Sequence, residues 1–167
     1  FVQNQDGTFN EIKSGPWIAD ALAEDMGIGF IDYDNDGDFD IYIASGGNEF
    51  EIEDPLLQDR LYENKGNLQF LRTSGVLPDY LISSSCVEIS DYDNDGDDDL
   101  FVGGRLVPGK YPHPASSILL ENRNGKFINS NDQLAPEFEK LGMVTSAKWS
   151  DINNDDLKDL VVVGEWM

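Results

Sequence analysis

Nine residues constrain this chain more than any other stretch: Asp32-Tyr33-Asp34-Asn35-Asp36-Gly37-Asp38-Phe39-Asp40. Carboxylates stand at positions 1, 3, 5, 7 and 9, with glycine at position 6. So many like charges stay together only when water or a cation screens them. A cation of calcium size takes six to eight oxygen ligands at about 2.3–2.6 Å. Glycine at position 6 lets the backbone turn at positive φ and wrap the string around a centre. The string recurs as Asp91-Tyr92-Asp93-Asn94-Asp95-Gly96-Asp97-Asp98-Asp99 and, in weaker form, as Asp151-Ile152-Asn153-Asn154-Asp155-Asp156-Leu157-Lys158-Asp159. The starts lie 59 and 60 residues apart, so the loop belongs to a repeat. Each copy offers side chains 1, 3, 5 and 9 and the carbonyl of position 7. In the third copy Asn153 lowers the charge and Asp156 replaces glycine, at a left-handed position that Asn and Asp tolerate best among the other residues.

The same opening begins an EF-hand, which requires a bidentate Glu at position 12 and a helix on each side. Position 12 here is Ile43, Val102 or Val162. The flanks, Gly29-Phe30-Ile31 and Ile41-Tyr42-Ile43, then Val87-Glu88-Ile89 and Leu100-Phe101-Val102, are β-branched and aromatic runs that predict strands. Each acidic loop therefore joins two strands, and the ninth-position Asp replaces the missing Glu. A polar hairpin that binds nothing is the bland alternative for any single copy.

A second signal follows each acidic loop. Leu61-Tyr62-Glu63-Asn64-Lys65-Gly66-Asn67-Leu68-Gln69-Phe70 and Leu119-Leu120-Glu121-Asn122-Arg123-Asn124-Gly125-Lys126-Phe127 place Asn/Gly turns between apolar runs, as does Asn4-Gln5-Asp6-Gly7-Thr8-Phe9. Such steps predict hairpins. Strands are expected over 28–31, 39–44, 60–64 and 68–72, then 86–90, 98–103, 116–122 and 126–129, then 143–149 and 158–164. Four antiparallel strands at a fixed period predict an all-β chain of β-propeller blades, with the acidic loop between the first two strands. The expected division is an outer hairpin and linker over 1–27, blades over 28–85 and 86–142, and the first half of a further blade over 143–167. A short helix is expected over Asp20–Met26. Unfinished blade edges suggest self-association with a second copy.

In an antiparallel blade the acidic loops and Asn/Gly turns share one end. The long connections 45–59, 73–85, 104–115 and 130–142 share the other. These connections carry Asn48, Glu49, Phe50, Tyr80, Arg105, Tyr111 and His113, and insertions on one face of a repeat array often form the binding face. Among aromatics, Phe30, Phe39, Phe70, Phe101, Phe127 and Trp149 are expected in the core. Trp17, Phe50, Tyr80 and Tyr111 fall in loops, where stacking on a sugar is conceivable.

Composition excludes some partners. The chain has 33 acidic and 11 basic side chains, a net charge of −22. Fifteen aspartates lie in the three loops, and three divalent ions would bring the charge to −16. Nucleic acid and anionic lipid both need basic surface. No apolar run is long enough to span a bilayer as a helix. The single cysteine, Cys86, forms no internal disulfide and is expected as a small core residue. The single histidine, His113, excludes the usual zinc clusters and reads as a solvated loop residue. No nucleophile elbow or P-loop is present, so no catalytic residue is expected.

The stretches FIDYDNDGDFDIYIASGG, EISDYDNDGDDDLFVGGR and KWSDINNDDLKDLVVVGEW, with LYENKGNLQF and LLENRNGKF after the first two, resemble FG-GAP/VCBS repeats. These are the calcium-binding blades of integrin-α-like propellers, including secreted bacterial proteins of the ASPIC/UnbV type. The resemblance implies calcium at Asp32, Asp34, Asp36, Asp38 and Asp40, at Asp91, Asp93, Asp95, Asp97 and Asp99, and at Asp151, Asn153, Asp155, Leu157 and Asp159. The fourth residue of each set acts through its carbonyl. Two calcium sites are expected, with a third in the weaker loop. The resemblance also implies an extracellular, periplasmic or cell-surface binding module for protein or carbohydrate. A polysaccharide-acting propeller enzyme with purely structural calcium is the alternative. A calcium sensor is disfavoured, because strand-flanked loops are poorly built to open.

Overall fold

The computed structural model describes residues 1–167. Its strands are β1 (Val2–Gln3), β2 (Phe9–Asn10), β3 (Glu24–Ile31), β4 (Asp40–Gly46), β5 (Arg60–Asn64), β6 (Phe70–Arg72), β7 (Ser83–Ser90), β8 (Asp99–Leu106), β9 (Ile118–Asn122), β10 (Phe127–Asn129), β11 (Met143–Ser150) and β12 (Asp159–Glu165). One short helix, α1, spans Asn131–Leu134. β3–β6 and β7–β10 each form a four-stranded antiparallel meander, and β11–β12 form a hairpin. These are propeller blades, two whole and one begun. β1 and β2 pair only with each other, so the two ends of the chain do not complete one another.

The first strand of each sheet packs on the first strand of the next, β3 against β7 and β7 against β11. Gly29 permits the first of these approaches: a Cβ there would stand 2.6 Å from Ile89 Cδ1. Alternation on β4 then sorts the residues. Tyr42 and Ala44 point toward the second sheet and are fully buried with Ile31, Leu61, Leu100, Val102, Ile118, Leu120 and Phe127. β8 is buried on both faces, because Phe101 on its far side packs with Val144 and Ala147 of the third hairpin. A strand covered on both sides reads as a continuous apolar run, which explains Leu100-Phe101-Val102. Each first strand also carries a register shift, at Met26 in β3, at Ser85 in β7 and at Thr145 in β11, with a second one in β7 between Ser83 and Ser84, so the repeat extends to the backbone irregularity.

Four expectations are corrected. The helix over Asp20–Met26 is absent; β3 already begins at Glu24, pairing with Gly46 of β4. Phe30 and Phe39 are not core residues but are 58% and 66% exposed. Phe30 lies on the face of the first sheet turned away from the second, and Phe39 is in the loop. Trp17 is not a free stacking platform; it packs on Tyr62 and Phe70. Tyr80 likewise turns inward, donating to the buried Asp59 at 3.0 Å. Cys86 is half-buried, and burial pushes its thiol pKa up.

Candidate metal centre

The two complete acidic strings fold identically. In the first, Asp32 turns back on the loop, accepting from the Asp36 amide at 3.0 Å and the Gly37 amide at 3.0 Å. In the second, Asp91 accepts from Asp95 and Gly96, both at 3.1 Å. Both glycines have positive φ, 92° and 96°. The ninth aspartate of each loop starts the following strand and is 1% exposed. Asp40 accepts from the amides of Tyr33 at 3.3 Å and Asn64 at 2.7 Å. Asp99 accepts from those of Tyr92 at 3.3 Å and Asn122 at 2.8 Å.

The effect is convergence. One carboxylate oxygen from each of Asp32, Asp34 and Asp40 lies within 4.8 Å of the others, and the same holds for Asp91, Asp93 and Asp99. No lysine or arginine is ion-paired to any of the six. Burial pushes the Asp40 pKa up to about 6, against the pull of the two amides, and the Asp99 pKa up to about 7. Burial and the neighbouring Asp36 and Asp95 raise Asp34 and Asp93. A cation held by these oxygens would reverse that penalty. The donors are hard oxygens with no nitrogen or sulfur among them, which suits calcium rather than a transition metal.

Not every predicted residue joins the triplets. Asp36 and Asp95 stand outside them, each accepting the amide two residues on at 2.9 Å. The Asp38 and Asp97 side chains also lie outside. The third loop has the same backbone: Asp151 accepts from Asp155 at 3.2 Å and from Asp156 at 3.0 Å, and Asp156 takes the glycine conformation at φ 66°. Asn153 stands at the position of Asp34 and Asp93, so the third loop has one carboxylate fewer to gather. Asn153 instead donates to Asp155 at 3.0 Å, and Asp159 accepts only from Ile152, at 2.9 Å.

Asn64 and Asn122 are the residues that sequence reasoning missed. They lie on the third strand of each sheet, and their amides seat the ninth aspartate. The signal was present as a Glu-Asn pair lying 24 residues after Asp40 and 23 after Asp99, read only as part of a turn. The opposite end gathers the long connections. Asn48 accepts from Gly109 at 3.1 Å, Arg105 pairs with Glu165 at 2.7 Å, and Trp166 donates to Tyr111 at 3.1 Å. Phe50 is half-buried there, and Glu49 and His113 are exposed.

Residues 91–162 match the model of the FG-GAP-like repeat family. This stretch, from the second acidic loop to the strand after the third, is an FG-GAP-like repeat, as the resemblance implied. No curated protein matches the chain.

Proposed function

We propose that the chain is a calcium-stapled segment of a β-propeller that works as a non-enzymatic binding module outside the cell. The observation that carries the calcium reading is the pair of carboxylate triplets, each with a buried ninth aspartate and no basic partner. Asp32, Asp34 and Asp40 hold the first ion and Asp91, Asp93 and Asp99 the second. Asp36 and Asp95 side chains and the Asp38 and Asp97 carbonyls complete the shells. Asp151, Asn153, Asp155, Leu157 and Asp159 form a weaker third site. The calcium supplies charge neutralisation and a fixed loop, and no reaction step. Millimolar calcium outside the cell suits extracellular modules with dissociation constants on the order of 10⁻⁴–10⁻³ M, and FG-GAP repeats are typically extracellular. No helix is long and apolar enough to cross a membrane.

The partner, a protein or carbohydrate, docks on the end carrying the long connections, away from calcium. A net charge of −22 opposes nucleic acid as a partner. The most deeply buried carboxylate outside the loops, Asp59, supports a non-enzymatic role. It is satisfied by Tyr42 Oη at 2.6 Å, the Ser45 amide at 2.7 Å, Tyr80 Oη and Ser84 Oγ. Such a group is a structural staple and not a free acid or base.

Thermal unfolding in EDTA and in a few millimolar calcium tests the staple; a shared Tm would refute it. Glycan and protein arrays with wild type and Tyr111→Ala test the docking end. Binding that survives this change but is lost on changes at the calcium end, without unfolding, would move the site there. Turnover of any polysaccharide would refute the non-enzymatic reading.

A further inference from the structure

The two complete loops touch each other through side chains that calcium does not need. Asp97, the seventh residue of the second loop, accepts at both carboxylate oxygens. Oδ1 takes Asn35 Nδ2 of the first loop at 2.7 Å, and Oδ2 takes the Asn124 amide of its own sheet's Asn/Gly turn at 3.1 Å. Beside it Asn122 Nδ2 donates to the Tyr33 carbonyl of the first loop at 2.9 Å. The matching Asp38 of the first loop has no side-chain partner, and the third loop carries Leu157 at this position, which cannot accept. A link of this kind therefore exists between the first and second loops and has no counterpart between the second and third.

We infer that the Asp97 carboxylate is a positioning group that couples calcium binding at the first two loops. The inference rests on the calcium reading above. An ion in the second loop fixes the Asp97 carbonyl, and with it the direction of the carboxylate. An ion in the first loop fixes Asp34 and Asp36, and so the Asn35 amide held between them. Each ion thus removes disorder that the other would have to remove, which is positive coupling without a change of shape. Coupling is reciprocal, so each loop gains the same factor from the other. The two blades are then fixed relative to each other by calcium as a pair, while the third hairpin is held by packing and by the Arg105–Glu165 and Lys148–Glu88 ion pairs, with no calcium-linked contact.

The test is a calorimetric titration with calcium alone in proteins where one loop is silenced. With loop two silenced by Asp91→Ala and Asp93→Ala, loop one binds about fivefold more weakly, at the low end of coupling factors. Asp97→Ala with loop two intact produces the same loss at loop one, and adds nothing when loop two is already silent. Asn35→Gly keeps the positive φ, removes the donor, and weakens loop two by the same factor. Should Asp97→Ala disturb loop two itself, Asn35→Gly still decides, because it leaves that loop untouched. Silencing loop three changes neither affinity. Equal affinity at loop one in all these proteins would overturn the inference. Coupling that persists in Asp97→Ala and Asn35→Gly would overturn the route. No calcium at either loop would remove the calcium reading itself.

Discussion

The first two loops and the third share a backbone but not a ligand set. All three wrap their first aspartate with the same amides, and all three use positive φ at the sixth position. They differ in what lies behind them. Asp40 and Asp99 are pressed under a third strand whose asparagine amide fixes one oxygen, whereas Asp159 starts the last strand of a two-stranded hairpin and is only half-buried. Two differences therefore separate the third loop from the others: Asn153 stands where they carry Asp34 and Asp93, and no third strand covers its ninth aspartate. Loop sequence sets the turn and the number of carboxylates, and the third strand adds an amide that seats the ninth aspartate.

Several outcomes would break or sharpen this contrast. The largest is metal removal. Two sites with dissociation constants of about 10⁻⁴ M in about 2 mM calcium contribute together roughly 4 kcal/mol, a fall in Tm on the order of 10 °C on chelation. Calorimetric melting reads it directly, and Asp99→Ala should abolish about half of the shift while Asp159→Ala abolishes little.

The third-strand asparagines give the next effect. Asn122 is fully buried and bonds the Tyr33 carbonyl and the Gly125 amide, whereas half-buried Asn64 bonds Phe39 and Gly66. Asn122→Ala leaves buried groups unpaired and costs about 2 kcal/mol by denaturant unfolding; Asn64→Ala costs about 1 kcal/mol. Equal losses would mean that the neighbouring loop adds nothing.

Acidity follows with a definite sign. Asp40 and Asp99 have folded pKa values of about 6 and about 7, above the ordinary 3.8. A raised carboxylate pKa means that the metal-free folded state holds extra protons. With respect to these groups the calcium-free protein is therefore most stable below the ordinary value of 3.8 and loses that stability as pH rises through about 6 and about 7. Calcium must displace those protons, so its affinity falls below pH 7 at the second loop and below pH 6 at the first. Calcium titrations at pH 5, 6, 7 and 8 check both statements. The smallest effect is at Asp156, where Asp156→Gly removes the penalty of a left-handed side chain and should raise stability by about 0.5–1 kcal/mol.

Much of this was legible in the sequence, because strand alternation, Asn/Gly turns and the acidic string are local signals. Ten of the predicted strands appear within a few residues of their expected limits. What was not legible depended on tertiary context. The Ala-rich run from Asp20 to Met26 favours helix by local propensity, but pairing of Glu24 and Asp25 with Gly46 and Ser45 overrides it. Phe30 reads as core because a strand pattern does not say which face is covered. Asn64 and Asn122 were visible only as turn residues, since their action on Asp40 and Asp99 runs through backbone amides that carry no sequence code.

The most direct measurement is the number of calcium ions bound per chain at equilibrium, by dialysis against about 1 mM calcium, roughly tenfold above the dissociation constant used above, followed by elemental analysis. The account predicts up to two, lost one at a time in Asp40→Ala and Asp99→Ala and unchanged in Asp159→Ala. Loss on Asp159→Ala equal to that on Asp99→Ala would show that the third loop is as good a site without a finished sheet. No calcium at any concentration up to several millimolar would reduce all three loops to solvated turns.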